Sequence, residues 1–562
     1  MLIRGRDTEI IMTQNTFLDN STGQNNAFTS LIYFLVLSIL FTAIQAGFLY
    51  LTISPKIGII NTFPTFIFVF IWLTFSHVFY KHKIWQWTIF FLGFALTLRL
   101  PITINRSLEL LNWLLYIGLY ISVFIPIGKY FLNKKRSIIL LVTVVLILFN
   151  SFSHIYLNSP FTYAFRLLNN LSSNYTPGQD NNSTWECPYE KPYIVVQCDM
   201  RHFIAPEKIF TEPNYDGSFS VFLRRFFYGY LSSLIGFPGN RWISSFSINI
   251  FFWLLSSVAI YRTCILLGLN EQIASISMLC LASSWGFVSF VAQPAPYLTA
   301  YAFSTIVPWA SLEITQTPKI TSKTFFCVAT IVSGLLVYDI YPVTITGLLL
   351  ICWHKQFRLA ASTFLIQCLY LWSWTNIGLA KVLGTVGNLR NTQVITNSFS
   401  AWLLAIGKYD LIFKYIGLGT FSFVIAGFWI GVPAIIILLC YLQFYPNSNK
   451  SDIWSSEISN DDSYFCVNRM KFFLISISLL MLISSIFLTP EAIYWNGTFG
   501  MLPRFNYYFL PAFTIALATI SYQLKIGYLI PILAFFVACI DFTGIASVAL
   551  MFDYGGLKII QK

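Results

Sequence analysis

Long apolar runs recur through nearly the whole chain and limit its fold more than any other feature. A helix rises about 1.5 Å per residue, so roughly 20 apolar residues cross the roughly 30 Å hydrocarbon layer of a bilayer. Runs of that kind lie near residues 31–52, 63–80, 85–104, 109–127 and 137–157. Others follow near 242–268, 272–292, 296–314, 324–338, 343–353, 359–378, 417–442, 472–488, 505–523 and 527–548. The chain is 56% hydrophobic and only 10% charged, whereas a soluble domain carries about 25% charge. The expected fold class is therefore all-α, a polytopic membrane protein with about 13–15 transmembrane helices. Residues 324–353 as one helix would run about 45 Å, too long for the core. Pro342 in YDIYP is expected to break that run and leave Asp339 at the turn.

Lysine and arginine in short loops set the orientation of such a chain. Lys81 and Lys83 follow the second run, and Lys129, Lys134, Lys135 and Arg136 follow the fourth. With two runs between them, both loops are expected inside, and the loop 158–241 outside. Continued alternation puts Lys319 and Lys323, then His354, Lys355 and Arg358, then residues 443–471 inside. It puts Gln293 to Tyr297, Asp339 to Pro342, residues 379–416 and residues 489–504 on the same outer face as the long loop. The expected location is multi-pass in a bacterial inner membrane. The net charge of +12 resides in short loops without a basic face or nucleic-acid motif, so no nucleic acid is expected as a partner.

Four regions follow: a polar cytoplasmic N-terminus over 1–29, a bundle of about 5 segments over 30–157, the extracytoplasmic loop 158–241, and a bundle of about 10 segments over 242–562. Residues 158–197 are rich in Asn, Ser, Thr, Pro and Gly and read as a surface excursion. From Phe219 onward, aromatic and small residues alternate around Arg224 and Arg225, which reads as a helix along the membrane interface. Cys187 and Cys198 stand in this loop with ten residues between them. An oxidising compartment permits a disulfide there, and two free thiols are the alternative.

The densest set of groups able to do chemistry runs from Cys198 to Arg241. Asp216, in NYDG, is the first catalytic candidate, because an outward carboxylate at a membrane boundary can take the proton of a hydroxyl nucleophile. Asn214, Asp216 and Gly217 are also ordinary turn formers, so a simple turn is the other reading. Asp199, a second catalytic candidate, and His202, a binding candidate, share CDMRH; a solvated loop is the other reading. Arg224 and Arg225 could grip a lipid-linked phosphate bidentately or simply snorkel to bulk headgroups. Arg241 and Arg504 are further phosphate-binding candidates, and Asp339 and Glu491 could assist in binding a sugar or cation. Asp541 falls inside an apolar run, where a charge is costly and is expected to face the bundle. No carboxylate or histidine cluster has the spacing of a dedicated metal site. Phosphate-loop, nucleophile-elbow, kinase and dinucleotide signatures are absent too, which disfavours an ATP-driven pump or a soluble-type hydrolase.

Tyr215-Asp216-Gly217, then Arg224-Arg225 before FFYGYLSSLIGFP, then RWISSFSINIFFWLLSSVAIYRTCILLGLNEQIASISMLCLASSWGF with Asn249 near its start, resemble bacterial multi-spanning proteins of the GT-C glycosyltransferase class. The resemblance covers about residues 199–315. It implies a membrane transferase that moves a sugar from a polyprenyl-phosphate carrier to an extracytoplasmic glycan or protein acceptor. Asp216 would be the base and Arg224 or Arg225 the lipid-phosphate contact, with or without a divalent metal ion at the departing phosphate. Expected partners are the lipid-linked donor, the acceptor and membrane lipids. A transporter or flippase of lipid-linked glycans is the chief alternative, and a non-catalytic membrane scaffold the third.

Overall fold

The computed structural model describes residues 23–52, 55–80, 82–98, 241–282, 297–316, 319–336, 341–372, 399–413, 428–444, 453–455, 460–496 and 510–531, with residues 118, 121–122, 228, 231 and 416. The described residues are all-α apart from one isolated bridge, Leu269 to Trp454. The chain forms two compact units, Met1–Leu100 and Pro101–Lys562.

In the first unit, α1 (Gly23–Thr52), α2 (Pro55–Phe79) and α3 (Lys83–Leu98) pack on one another. One face of α1 carries Ser38, Thr42 and Gln45, all buried, while Ile32, Val36, Ile39 and Leu40 point outward. The inner polar groups lean on the helices' own backbone: Ser38 donates to the Phe34 carbonyl at 2.7 Å, and Gln45 reaches the Thr97 carbonyl at 3.3 Å. Phe41 sits edge-on to Phe90 and Phe94, with ring centroids 4.9 and 4.5 Å away. The Trp72 indole donates to the Ile89 carbonyl at 2.7 Å and fills the space at Gly93 that a Cβ would need.

In the second unit, α4 (Arg241–Leu266), α5 (Glu271–Ala282), α6 (Tyr297–Gln316), α7 (Ile320–Leu336) and α8 (Tyr341–Trp353) are followed by α9 (Phe357–Trp372), α10 (Phe428–Phe444), α11 (Asn460–Asn496) and α12 (Leu510–Gln523). Helix α6 is the axis, packing on α4, α7, α8 and α12, and Tyr301, Val307, Ala310 and Leu312 on it are fully buried. Gly347 lets α8 approach: a Cβ there would stand 2.8 Å from both Ser311 Oγ and Val307 Cγ1. Within the run 324–353, α7 is described to Leu336 and α8 from Tyr341, and the expected break at 337–340 lies outside the described residues. Pro342 falls in the first turn of α8, where a missing N–H is tolerated.

Helix α11 differs from the expectation. Residues 460–471 read as part of a polar loop, yet they form the first turns of a single helix of 37 residues, because Cys466, Val467, Met470 and Phe473 bury one side of it. Its far end also runs on to Asn496, so Glu491 lies in helix rather than in a loop.

Three helices end in the same backbone device. At the end of α4, Gly268 N–H donates to Ile265 O and Leu269 N–H to Cys264 O, with Gly268 at φ 88°. This paired pattern, with a left-handed residue just past the helix, satisfies carbonyls that would otherwise be orphaned. Lys355 after α8 and Lys525 after α12 repeat it, at φ 60° and 59°, with matching bonds to Cys352 and Ile351 and to Tyr522 and Ser521.

Large apolar side chains lie on the surface of several described helices, and hydroxyl groups are buried beside the apolar core. Thr299, Ser304, Thr305 and Ser311 are buried on α6, whereas Phe364, Leu365 and Leu369 on α9, Ile436 and Ile437 on α10, and Leu479 and Ile483 on α11 are exposed. Among the described residues one stretch, Ile248–Leu266, is long and apolar enough to cross a membrane; Ile32–Phe48, Thr344–Trp353, Phe357–Leu369 and Pro433–Phe444 are shorter apolar helices.

Candidate functional site

Helix α4 carries the residues that follow the long polar loop, and its third turn binds back to that loop. Asn249 is fully buried, and the hydroxyl of Tyr228, also fully buried, donates to its Oδ1 at 3.2 Å. A buried amide needs such a partner, since an unpaired one costs about 1–3 kcal/mol. Leu231, three residues on, is buried as well. Tyr228 stands three residues after Arg225 in sequence, so the bond fixes the chain to α4 directly after the two arginines. One turn beyond Asn249, Trp253 is buried and its carbonyl accepts from Ser256 at 2.7 Å and Ser257 at 3.0 Å.

Of the residues singled out in the sequence, Asp199, His202, Asp216, Arg224, Arg225, Asp339, Arg504 and Asp541, with Cys187 and Cys198, lie outside the described residues. Arg241 is the first residue of α4, and Glu491 lies near the end of α11. Asn249, the residue singled out near the start of the quoted pattern, has a defined side-chain environment, and its partner Tyr228 belongs to the same pattern.

A second polar centre gathers at the opposite end of α4. The Leu266 carbonyl, one of the last four of the helix and so without an intrahelical partner, accepts from Arg469 Nη1 at 2.8 Å and Gln316 Nε2 at 3.1 Å. Arg469 is only 6% exposed. The turn that follows is bound on its outer side: Asn270 N–H donates to Ile453 O at 2.9 Å, and Ser455 N–H donates to Gly268 O at 3.0 Å. Asn270 then caps α5, its Oδ1 accepting from Ile273 N–H at 2.8 Å. One turn up, Arg262 faces Glu313 at 3.4 Å, and Trp309 Nε1 donates to the same carboxylate at 3.0 Å. His354 lies beside Arg469, and burial together with that guanidinium pushes its pKa down to about 4. Four helix ends thus meet through one arginine and one strand-like segment.

Sequence reasoning passed over this centre. A signal existed: Glu313 and Arg262 are each a lone charge inside an apolar run, which points to a partner across the bundle. Arg469 gave no such signal, since it sits among polar residues.

Among the described residues no group of three or more His, Cys, Asp and Glu is placed to hold a metal ion. The second centre carries fixed donors and one half-exposed ion pair, with no nucleophile and base in contact, so its chemistry is that of a structural lock. The described residues define an all-α bundle. No family model, curated protein or solved structure matches the chain.

Proposed function

We propose that this chain is a polytopic membrane glycosyltransferase that moves a sugar from a polyprenyl-phosphate carrier to an extracytoplasmic glycan or protein acceptor. Two features support embedding in a bilayer. Large apolar side chains are exposed along α1, α9, α10 and α11 while hydroxyl groups are buried, the arrangement that lipid favours and water does not. The ends of α4, α6, α8 and α10 and the starts of α5 and α11 are joined by direct contacts; all belong to the side that charge alternation calls cytoplasmic.

The observation that carries the catalytic reading is the buried bond from Tyr228 to Asn249 at 3.2 Å. It ties the polar loop to the bundle three residues beyond Arg225, at the other end of α4 from the basic loops. The guanidinium pair Arg224-Arg225, three and four residues earlier in sequence, is of the chemistry that suits a lipid-linked phosphate. In the proposed step the Asp216 carboxylate removes the proton of the acceptor hydroxyl, whose oxygen attacks the sugar's anomeric carbon. The bond to the carrier breaks, and the phosphate leaves with the bonding pair, stabilised by Arg224 or Arg225.

The test is transfer in proteoliposomes supplied with a panel of polyprenyl-phosphate hexoses. Replacing Asp216 by Asn should lower transfer at least about 100-fold, the usual size of a general-base effect, with donor binding retained. Full activity in Asp216→Asn would remove Asp216 as the base, and absence of transfer by the unsubstituted chain would favour a transporter or a scaffold.

A further inference from the structure

The two lysines held in the left-handed region are the least expected side chains in the bundle. Only glycine adopts that conformation freely; a side chain there is strained. Gly268 occupies the equivalent position after α4, while Lys355 and Lys525 occupy it after α8 and α12. All three sit at one end of the second unit. Arg469 binds the end of α4 and lies beside His354, next to Lys355. Gly527, two residues past Lys525, abuts Ile276 near the start of α5.

Among the described side chains that end is mostly basic, and it is rimmed with apolar rings. Lys355, Lys525, Arg358 and Lys319 are exposed, and Lys471 holds Gln443 of α10 at 2.9 Å. Glu313 already faces Arg262, which leaves Glu271 as the opposing carboxylate among the described side chains there. Around these cations Trp353 (51% exposed), Phe357 (61%) and Tyr528 (57%) stand open. Aromatic rings at headgroup depth beside outward lysines are the pattern of a membrane interface facing an anionic leaflet.

We propose that this end of the bundle is a docking surface for the headgroups of anionic phospholipids, with Lys355 and Lys525 as its fixed contacts. Each lysine is exposed on the left-handed turn that closes its helix. This rests on the membrane reading above and adds the charge class of the lipid.

The full chain in neutral detergent micelles should rise in Tm when phosphatidylglycerol is added. Phosphatidylcholine or inorganic phosphate at matched ionic strength should leave Tm unchanged. Lys355→Gly with Lys525→Gly should keep or raise Tm without lipid, because glycine suits the turn, and should lose most of the phosphatidylglycerol increment. Lys355→Arg with Lys525→Arg should keep it. An increment that persists in the double glycine variant, or is reproduced by inorganic phosphate, overturns the proposal. Failure of the membrane reading is separate: the chain would leave the membrane fraction in an alkaline carbonate wash.

Discussion

Arg469 draws a charged group into the bundle and donates from it to a backbone carbonyl. A hydrogen bond to a charged group contributes about 1.5–3 kcal/mol, so Arg469→Met should lower stability by about that much, read as a drop in unfolding free energy in detergent. An unchanged value would mean that Gln316 alone satisfies Leu266. The neighbouring His354 adds a pH dependence. The unfolded chain takes up a proton near pH 6.5, which the folded chain refuses until about pH 4, so acid favours unfolding. Stability should be full above pH 6.5 and fall as pH drops from there toward 4, and His354→Gln should flatten that slope in thermal melts. Neither residue could be picked out from its sequence neighbourhood. Their partners lie about a hundred or more positions away, and spacing along one chain carries no sign of which polar side chain turns inward.

At the scale of elements, the helices were legible where one rule dominates. Pro342 stands in the first turn of α8, and continuous hydropathy marks α4, α6 and α12, because length and apolarity fix a buried helix regardless of its neighbours. Helix α11 was misread at both ends, since its first turns carry Asn460, Asp461, Asp462 and Arg469 and are helical only through packing on one side. The close crossing of α8 over α6 was equally hidden, as a glycine in an apolar run has many uses. Gly347→Leu should force Val307 and Ser311 aside and cost about 1–3 kcal/mol, while Gly334→Ala, with nothing within 4 Å of its added carbon, should be neutral or stabilising. Equal effects at the two sites would contradict the crossing.

For the whole molecule, the sidedness inferred from lysine and arginine is the statement on which the catalytic reading depends. In a cysteine-free background with full membrane insertion, Asp216→Cys should react with an impermeant maleimide in intact cells. Lys525→Cys should react only after permeabilisation. The reverse pattern would place the polar loop in the cytosol and remove the proposed donor site. That loop is where sequence carried most of the chemistry and least of the geometry, because carboxylates and guanidiniums on a polar excursion declare their type but not their neighbours.

The lock at Leu266 spans 203 residues of sequence. Ribosomes add about 5–20 residues per second, so the α4–α5 hairpin waits about 10–40 s before the arginine that fastens it has even been made. During that interval its turn is held by Gly268, the Asn270 cap and Gln316 alone. Any substitution that weakens those three should lower the yield of assembled protein in cells far more than it lowers the stability of the finished bundle, and slowing translation should deepen the loss.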